Sequence, residues 1–209
     1  SSDLRLLLEI VRAVRAEVAP GFAVAVKLNS ADFQRGGFAF EDSLRVAQWL
    51  QDGGVDLIEI SGGTYEQPKL LGVEGLEPAE VPDMPASTAA REAYFVDFAA
   101  AMHETLKVPL MVTGGFRTQS AMEQALRAGA ADVIGLGRPL CYEPDAVKRL
   151  FAGKQMLPTI EKQLKLLPDW LQWAKRFKTI RAIDSFAVQY WFYAQIYAIG
   201  QTGKPAMDR

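Results

Sequence analysis

Apolar residues recur at helical spacing over residues 4–18, where Leu7, Ile10, Val11 and Val14 share a face and Glu9, Arg12 and Arg15 stand elsewhere around the wheel. Pro20-Gly21 ends this helix, and the valine-rich run 22–28 (FAVAVKL) reads as a strand buried on both faces. A second helix over 41–51 uses Leu44, Val46, Ala47 and Leu50 as its apolar positions and stops at Gly53-Gly54, where a left-handed residue is expected. Residues 55–61 (VDLIEIS) form the second strand. Residues 62–87 read as a long loop, broken by Pro68, Pro78, Pro82 and Pro85 and without hydrophobic period; loops of this length in compact domains are often functional. A third helix is predicted over 89–106, a third strand over 108–113, a fourth helix over 119–128 stopped by Gly129, and a fourth strand over 132–136. Helix and strand thus alternate four times, the pattern of parallel strands joined by crossover helices. From Pro144 onward the chain turns helical and aromatic, with Trp170, Trp173, Trp191, Phe192 and Tyr193 on what read as appended helices.

Two parallel architectures compete, an open doubly wound sheet and a (β/α)8 barrel. The dinucleotide fingerprint G-x-G-x-x-G is absent: Gly114-Gly115-Phe116-Arg117 lacks the spacing, and Gly135-Leu136-Gly137-Arg138-Pro139 lacks the third glycine. A glycine pair after the third strand and Gly-x-Gly-Arg at the end of the fourth instead fit the loops after strands 7 and 8, from which a barrel builds a phosphate site. The four strands are therefore read as strands 5 to 8 of an α/β fold of the (β/α)8 barrel type. Alternation along the first strand sends Phe22, Val24, Val26 and Leu28 toward the helices and Ala23, Ala25, Lys27 and Asn29 inward. In the second, Leu57, Glu59 and Ser61 lie opposite Ile58 and Ile60, so that Lys27 and Glu59 point into the barrel from neighbouring strands.

Composition narrows the partners. With 209 residues, 49% hydrophobic and 23% charged, the chain has the balance of a globular domain, which excludes disorder and collagen-like structure. A net charge of -2, with Lys and Arg spread along the chain, argues against nucleic acid and anionic membrane as partners. The single cysteine, Cys141, cannot make an internal disulfide, a structural zinc site or an iron-sulfur cluster; no metal is expected, and a reducing cytoplasm fits best. The longest apolar stretch, 186–200, is interrupted by Gln189 and Gln195 and falls short of the roughly 18 to 20 residues that cross a bilayer. No membrane span or signal peptide is expected. The sequence opens Ser1-Ser2-Asp3 rather than with methionine and enters an amphipathic helix almost at once, which leaves open the reading that it is a piece of something longer.

The strongest chemical signal is Thr113-Gly114-Gly115 leading into a helix, followed by Gly135-Leu136-Gly137-Arg138. Glycines let backbone N–H groups approach a phosphate, the helix N-terminus adds a favourable dipole, and arginine adds a charged fork. The plainer alternative is that the glycines only permit tight turns and Arg138 pairs with a surface carboxylate. Lys27 is the second candidate: a Schiff-base lysine, a phosphate ligand, or a positive charge beside a cofactor that becomes anionic. Its competing role, an internal ion pair with Glu59, is compatible with the last of these. His103 is expected to be a solvated helix histidine, Cys141 a small buried filler, and Tyr190-Trp191-Phe192-Tyr193 a packing surface or subunit contact. Tyr65 is a weaker candidate for a substrate-facing loop residue, with surface packing as the default.

Five blocks in order, residues 24–38 (VAVKLNSADFQRGGF), 55–66 (VDLIEISGGTYE), 91–99 (REAYFVDFA), 108–118 (VPLMVTGGFRT) and 131–140 (ADVIGLGRPL), closely resemble the Old Yellow Enzyme family of FMN-dependent NAD(P)H oxidoreductases. The resemblance runs from about Leu4 to Leu150. It implies an FMN-containing (β/α)8 barrel in which NAD(P)H reduces the flavin and the flavin passes hydride to the alkene of a small α,β-unsaturated carbonyl compound. By position, Gly114, Gly115, Gly137 and Arg138 would hold the FMN phosphate. Lys27 stands where the family has a basic residue, commonly arginine, beside the flavin N1 and O2 edge; lysine would turn a fork of hydrogen bonds into a point charge. The family's carbonyl-binding pair, a His with Asn or a second His, and its proton-donating tyrosine lie in the first half of the barrel, so the catalytic residues stay unassigned here. The resemblance therefore implies the C-terminal half of a barrel over 1–150 with appended helices over 151–209 that pack on it, since a complete barrel takes about 250 residues. A half barrel leaves open sheet edges, so a homo-oligomer is expected, and the chain by itself is expected to be inactive. The alternatives are another FMN barrel, such as a dihydrouridine synthase, which the acidic balance disfavours, and a non-catalytic folding or assembly module.

Overall fold

The computed structural model describes residues 2–29, 38–61, 98–160, 164, 173 and 176–207. The predicted loop 62–87, Tyr65 and the first part of the predicted third helix lie outside them. The described residues fall into two compact units, one holding 2–29, 38–61, 98–116 and 120–135, the other 117–119, 136–160 and 176–207.

The first unit is a four-stranded sheet in the order β1-β2-β3-β4, every neighbouring pair parallel. Its strands are β1 (Ala25–Asn29), β2 (Leu57–Ser61), β3 (Leu110–Thr113) and β4 (Val133–Gly135). Helices α1 (Ser2–Glu17), α2 (Phe40–Asp52), α3 (helical over 98–103) and α4 (Gln119–Arg127) precede them in turn. Gly54 and Gly129, at φ 85° and 67°, make the left-handed stops after α2 and α4. One sheet face forms the core: Ile58, Ile60, Leu110 and Val112 are buried with Ala47 and Leu50 of α2 and Met102 of α3. Each such aliphatic side chain contributes about 1.5–3 kcal/mol by leaving water.

Three expectations change here. β1 is buried on one face only, with Leu28 inside and Ala25 and Lys27 exposed. It also starts three residues later than predicted, because the Pro20-Gly21 turn runs on through Phe22, whose amide bonds Ala19 O at 2.9 Å and whose ring is 59% exposed. On α1 only Val11 of the predicted face is fully buried, beside Gly53 of the turn after α2; Ile10 and Val14 are exposed.

The N-terminal edge of the sheet carries one arrangement twice. Asp56, just before β2, donates its amide to Val24 O and accepts the Val24 amide on its carboxylate. Asp132, just before β4, does the same with Leu110. Each carboxylate is also met from the helix before the paired strand, by Arg15 of α1 at Asp56 and by His103 of α3 at Asp132. Arg15 further donates to Phe22 O at 2.8 Å and Gly54 O at 2.7 Å.

In the second unit a short 3-10 turn (Arg138–Cys141) is followed by α5 (Ala146–Phe151) and α6 (Lys178–Thr202). Tyr142 packs against Trp191 and Phe192 at ring-centroid distances of 6.3 and 6.2 Å, and Cys141 lies against this cluster. The aromatic run thus divides, Trp191 and Phe192 inward, Tyr190 and Tyr193 outward. Glu143 is buried but paired with Arg149 and Lys154. Among the described residues no helix is long and apolar enough to cross a membrane.

Candidate functional site

The C-terminal ends of parallel strands are where α/β folds place their chemistry. In-register pairing sets Lys27 opposite Glu59, Glu59 opposite Met111 and Met111 opposite Val133, one row across the face turned away from the helical core. Lys27 Nζ donates to Glu59 Oε1 at 2.7 Å; the lysine side chain is 57% exposed and the glutamate 22%. The predicted inward pair is therefore formed, its lysine end in the open. The next row joins Asn29 to Ser61 and Thr113 to Gly135. Ser43, buried in the first turn of α2, donates its hydroxyl to Asn29 O at 2.8 Å and ties that helix to the end of β1. Sequence periodicity missed Ser43 because a serine among apolar neighbours carries no hydrophobic signal.

Gly114 and Gly115 follow β3 directly with φ of 148° and 79°, conformations that L side chains resist and that leave backbone N–H groups uncovered by a Cβ. Gly135 is glycine for a different reason: an added Cβ would lie 1.8 Å from Thr113 Oγ1 and 2.8 Å from Thr113 Cβ. Gly137 has open space where its Cβ would be. Arg138, exposed, begins the 3-10 turn with Pro139 beside it. Gly114 and Gly115 close a strand of the first unit, and Gly137 and Arg138 open the second. In the first unit the Gly114 and Gly115 amides follow the C-terminal end of β3, and in the second Gly137 and the exposed Arg138 follow the end of β4; backbone amides and a guanidinium are each donors of a kind that suits an anionic group such as a phosphate.

Two further residues depart from expectation. His103 is not solvated: its side chain is 25% exposed and Nε2 stands 3.1 Å from Asp132 Oδ2, off the line of a hydrogen bond, at the sheet edge opposite the glycine loops. Helical position alone did not reveal the carboxylate waiting at the next strand. Cys141 is half-buried rather than buried, with Sγ 3.9 Å from Gly137 O; burial pushes its thiol above the ordinary value, against the opposing pull of Arg138. No cluster of potential metal ligands occurs among the described residues.

Four parallel strands in chain order, each preceded by a helix, are consistent with part of an α/β barrel. The fold is similar to that of a 2-naphthoyl-CoA reductase complex, with a TM-score of 0.60 and 23% identity over 72% of this chain and 21% of that one. It is also similar to an old yellow enzyme homologue from Zymomonas mobilis, with a TM-score of 0.50 and 22% identity over 79% of this chain and 41% of that one. Residues 2–156 match the NADH:flavin oxidoreductase / NADH oxidase family, and the chain belongs to it. Among curated relatives, the NADH-dependent flavin oxidoreductase iccE of Talaromyces variabilis is 34% identical over 96% of this chain and 47% of its own length. The NADH-dependent flavin oxidoreductase iliE of Hypocrea jecorina (strain QM6a) is 39% identical over 67% of this chain and 34% of its own. The chain spans about half the length of the first of these relatives.

Proposed function

We propose that this chain supplies the FMN-binding part of an NAD(P)H-dependent flavin oxidoreductase that reduces the activated alkene of a small unsaturated carbonyl compound. Bound FMN would supply the two-electron chemistry, accepting hydride from the nicotinamide and delivering it to the alkene. The chain's own residues hold and bias that group. The amides around Gly114, Gly115 and Gly137 and the guanidinium of Arg138 would hold the phosphate. Lys27 would place one positive charge beside the ring edge that becomes anionic on reduction, as a point charge rather than a planar fork. His103, the one histidine, takes no part, since it sits at the opposite edge of the sheet.

The observation that carries this reading is the exposed Lys27 amine, held in a defined pair between β1 and β2 in the sheet whose third strand leads into the Gly114-Gly115 turn. β1 and β4 each have one strand neighbour among the described residues, so a homo-oligomer that covers these edges is part of the proposal. The test is direct. The purified 209-residue chain is mixed with FMN, desalted, and its absorbance read at about 450 nm. Retained yellow colour is expected, and a chain that stays colourless overturns the proposal.

A further inference from the structure

Lys27 and Glu59 are held by register as well as by charge, each on its own strand and directly opposite the other. The ammonium is the more exposed partner, so a planar group over the strand ends would meet the lysine first, with the carboxylate behind it. The pair has a field, weaker than that of lysine alone.

We propose that Glu59 is a positioning residue that aims the Lys27 amine and offsets its charge, and that the pair thereby sets the reduction potential of a flavin bound at these strand ends. This inference rests on the function proposed above. Its physical content is a sign. Lysine alone would favour the anionic reduced flavin. The glutamate 2.7 Å from its nitrogen cancels part of that preference. Removing the lysine and removing the glutamate should therefore move the potential in opposite directions. If Glu59 only kept Lys27 in place, both removals would move it the same way.

The experiment uses the 209-residue chain loaded with FMN, its midpoint potential measured by equilibration with a redox dye, for the unchanged protein and for Lys27→Met, Glu59→Gln and Glu59→Asp. Lys27→Met is expected to lower the potential and Glu59→Gln to raise it, each by roughly threefold to tenfold in the ratio of reduced to oxidised flavin, about 15–30 mV for a two-electron couple. Glu59→Asp, which keeps the charge, should stay near the unchanged protein. Far-ultraviolet circular dichroism checks that each variant is folded, as expected for side chains at least partly in contact with water. A potential unmoved in Glu59→Gln, or moved in the same direction as in Lys27→Met, overturns the inference while leaving a yellow protein and its proposed function intact. Failure of the unchanged chain to take up FMN overturns both.

Discussion

Gly135 shows how the use of a glycine is decided by its neighbour. In the sequence it is the first glycine of a Gly-x-Gly-Arg loop. In the sheet it is the last residue of β4, with Thr113 of β3 leaning over it, and the space a side chain needs is already filled. Gly135→Ala is expected to lower stability by about 1–3 kcal/mol, the usual cost of forcing extra volume into packed structure. A urea titration measures it, and Thr113→Ala in the same chain should recover part of the loss. The glycines a ligand would need are Gly114, Gly115 and Gly137. At the first two the backbone turns through positive φ, and at Gly137 nothing of the protein fills the space. Composition cannot separate these two uses of glycine, because the distinction lies in what stands across the strand.

At the scale of elements, the carboxylate before β2 has a measurable signature. The Val24 amide first, and the Arg15 guanidinium after it, hold the Asp56 carboxyl below the usual carboxylate range. A group whose folded value is depressed stabilises the fold fully above its unfolded value, about 4, and ceases to as pH falls through the lower folded value. The urea midpoint of the unchanged chain should therefore fall with pH below about 4, and Asp56→Asn should start lower and lose less over that window. Equal slopes for the two proteins would show that Asp56 carries no such dependence. The elements themselves were largely legible. Four parallel strands in chain order follow from the alternation of periods, and the inward side of Lys27 and Glu59 follows from counting by twos. What was not legible depends on partners far away in sequence. Ile10 and Val14 have helical spacing suited to a core, yet α1 buries only Val11, because contact with one neighbouring turn covers less than the apolar stripe offers. His103 and Asp132 are 29 positions apart and meet only because a crossover returns the chain to the same sheet edge.

At the scale of the whole molecule, the property for Arg138 to affect under the proposed function is flavin retention. Arg138→Ala is expected to weaken FMN binding roughly tenfold or more, the loss of one charge-assisted contact to a phosphate. Because the side chain is exposed, the unfolding midpoint should hardly move. Fluorescence titration with FMN gives the first quantity, urea unfolding the second, and an unchanged affinity would remove Arg138 from the phosphate role. The family was legible in five sequence blocks in a set order, four of which run through the C-terminal end of a strand. The long segment after β2 had no hydrophobic period to read, so pattern gave only a loop there.

The paired fastenings at the N-terminal edge, Asp56 with Val24 and Asp132 with Leu110, bear on how such a protein can diverge. Each two-strand module is locked at its N-terminal end, remote from Lys27, Glu59 and the Gly114-Gly115 turn, by contacts that depend on backbone amides and one aspartate. Exchanges at the opposite end, lysine for arginine or one loop length for another, leave those locks untouched. A chain fastened this way can accept exchanges at one rim while the other keeps the architecture, and laboratory evolution of the chain can concentrate its mutations at the first.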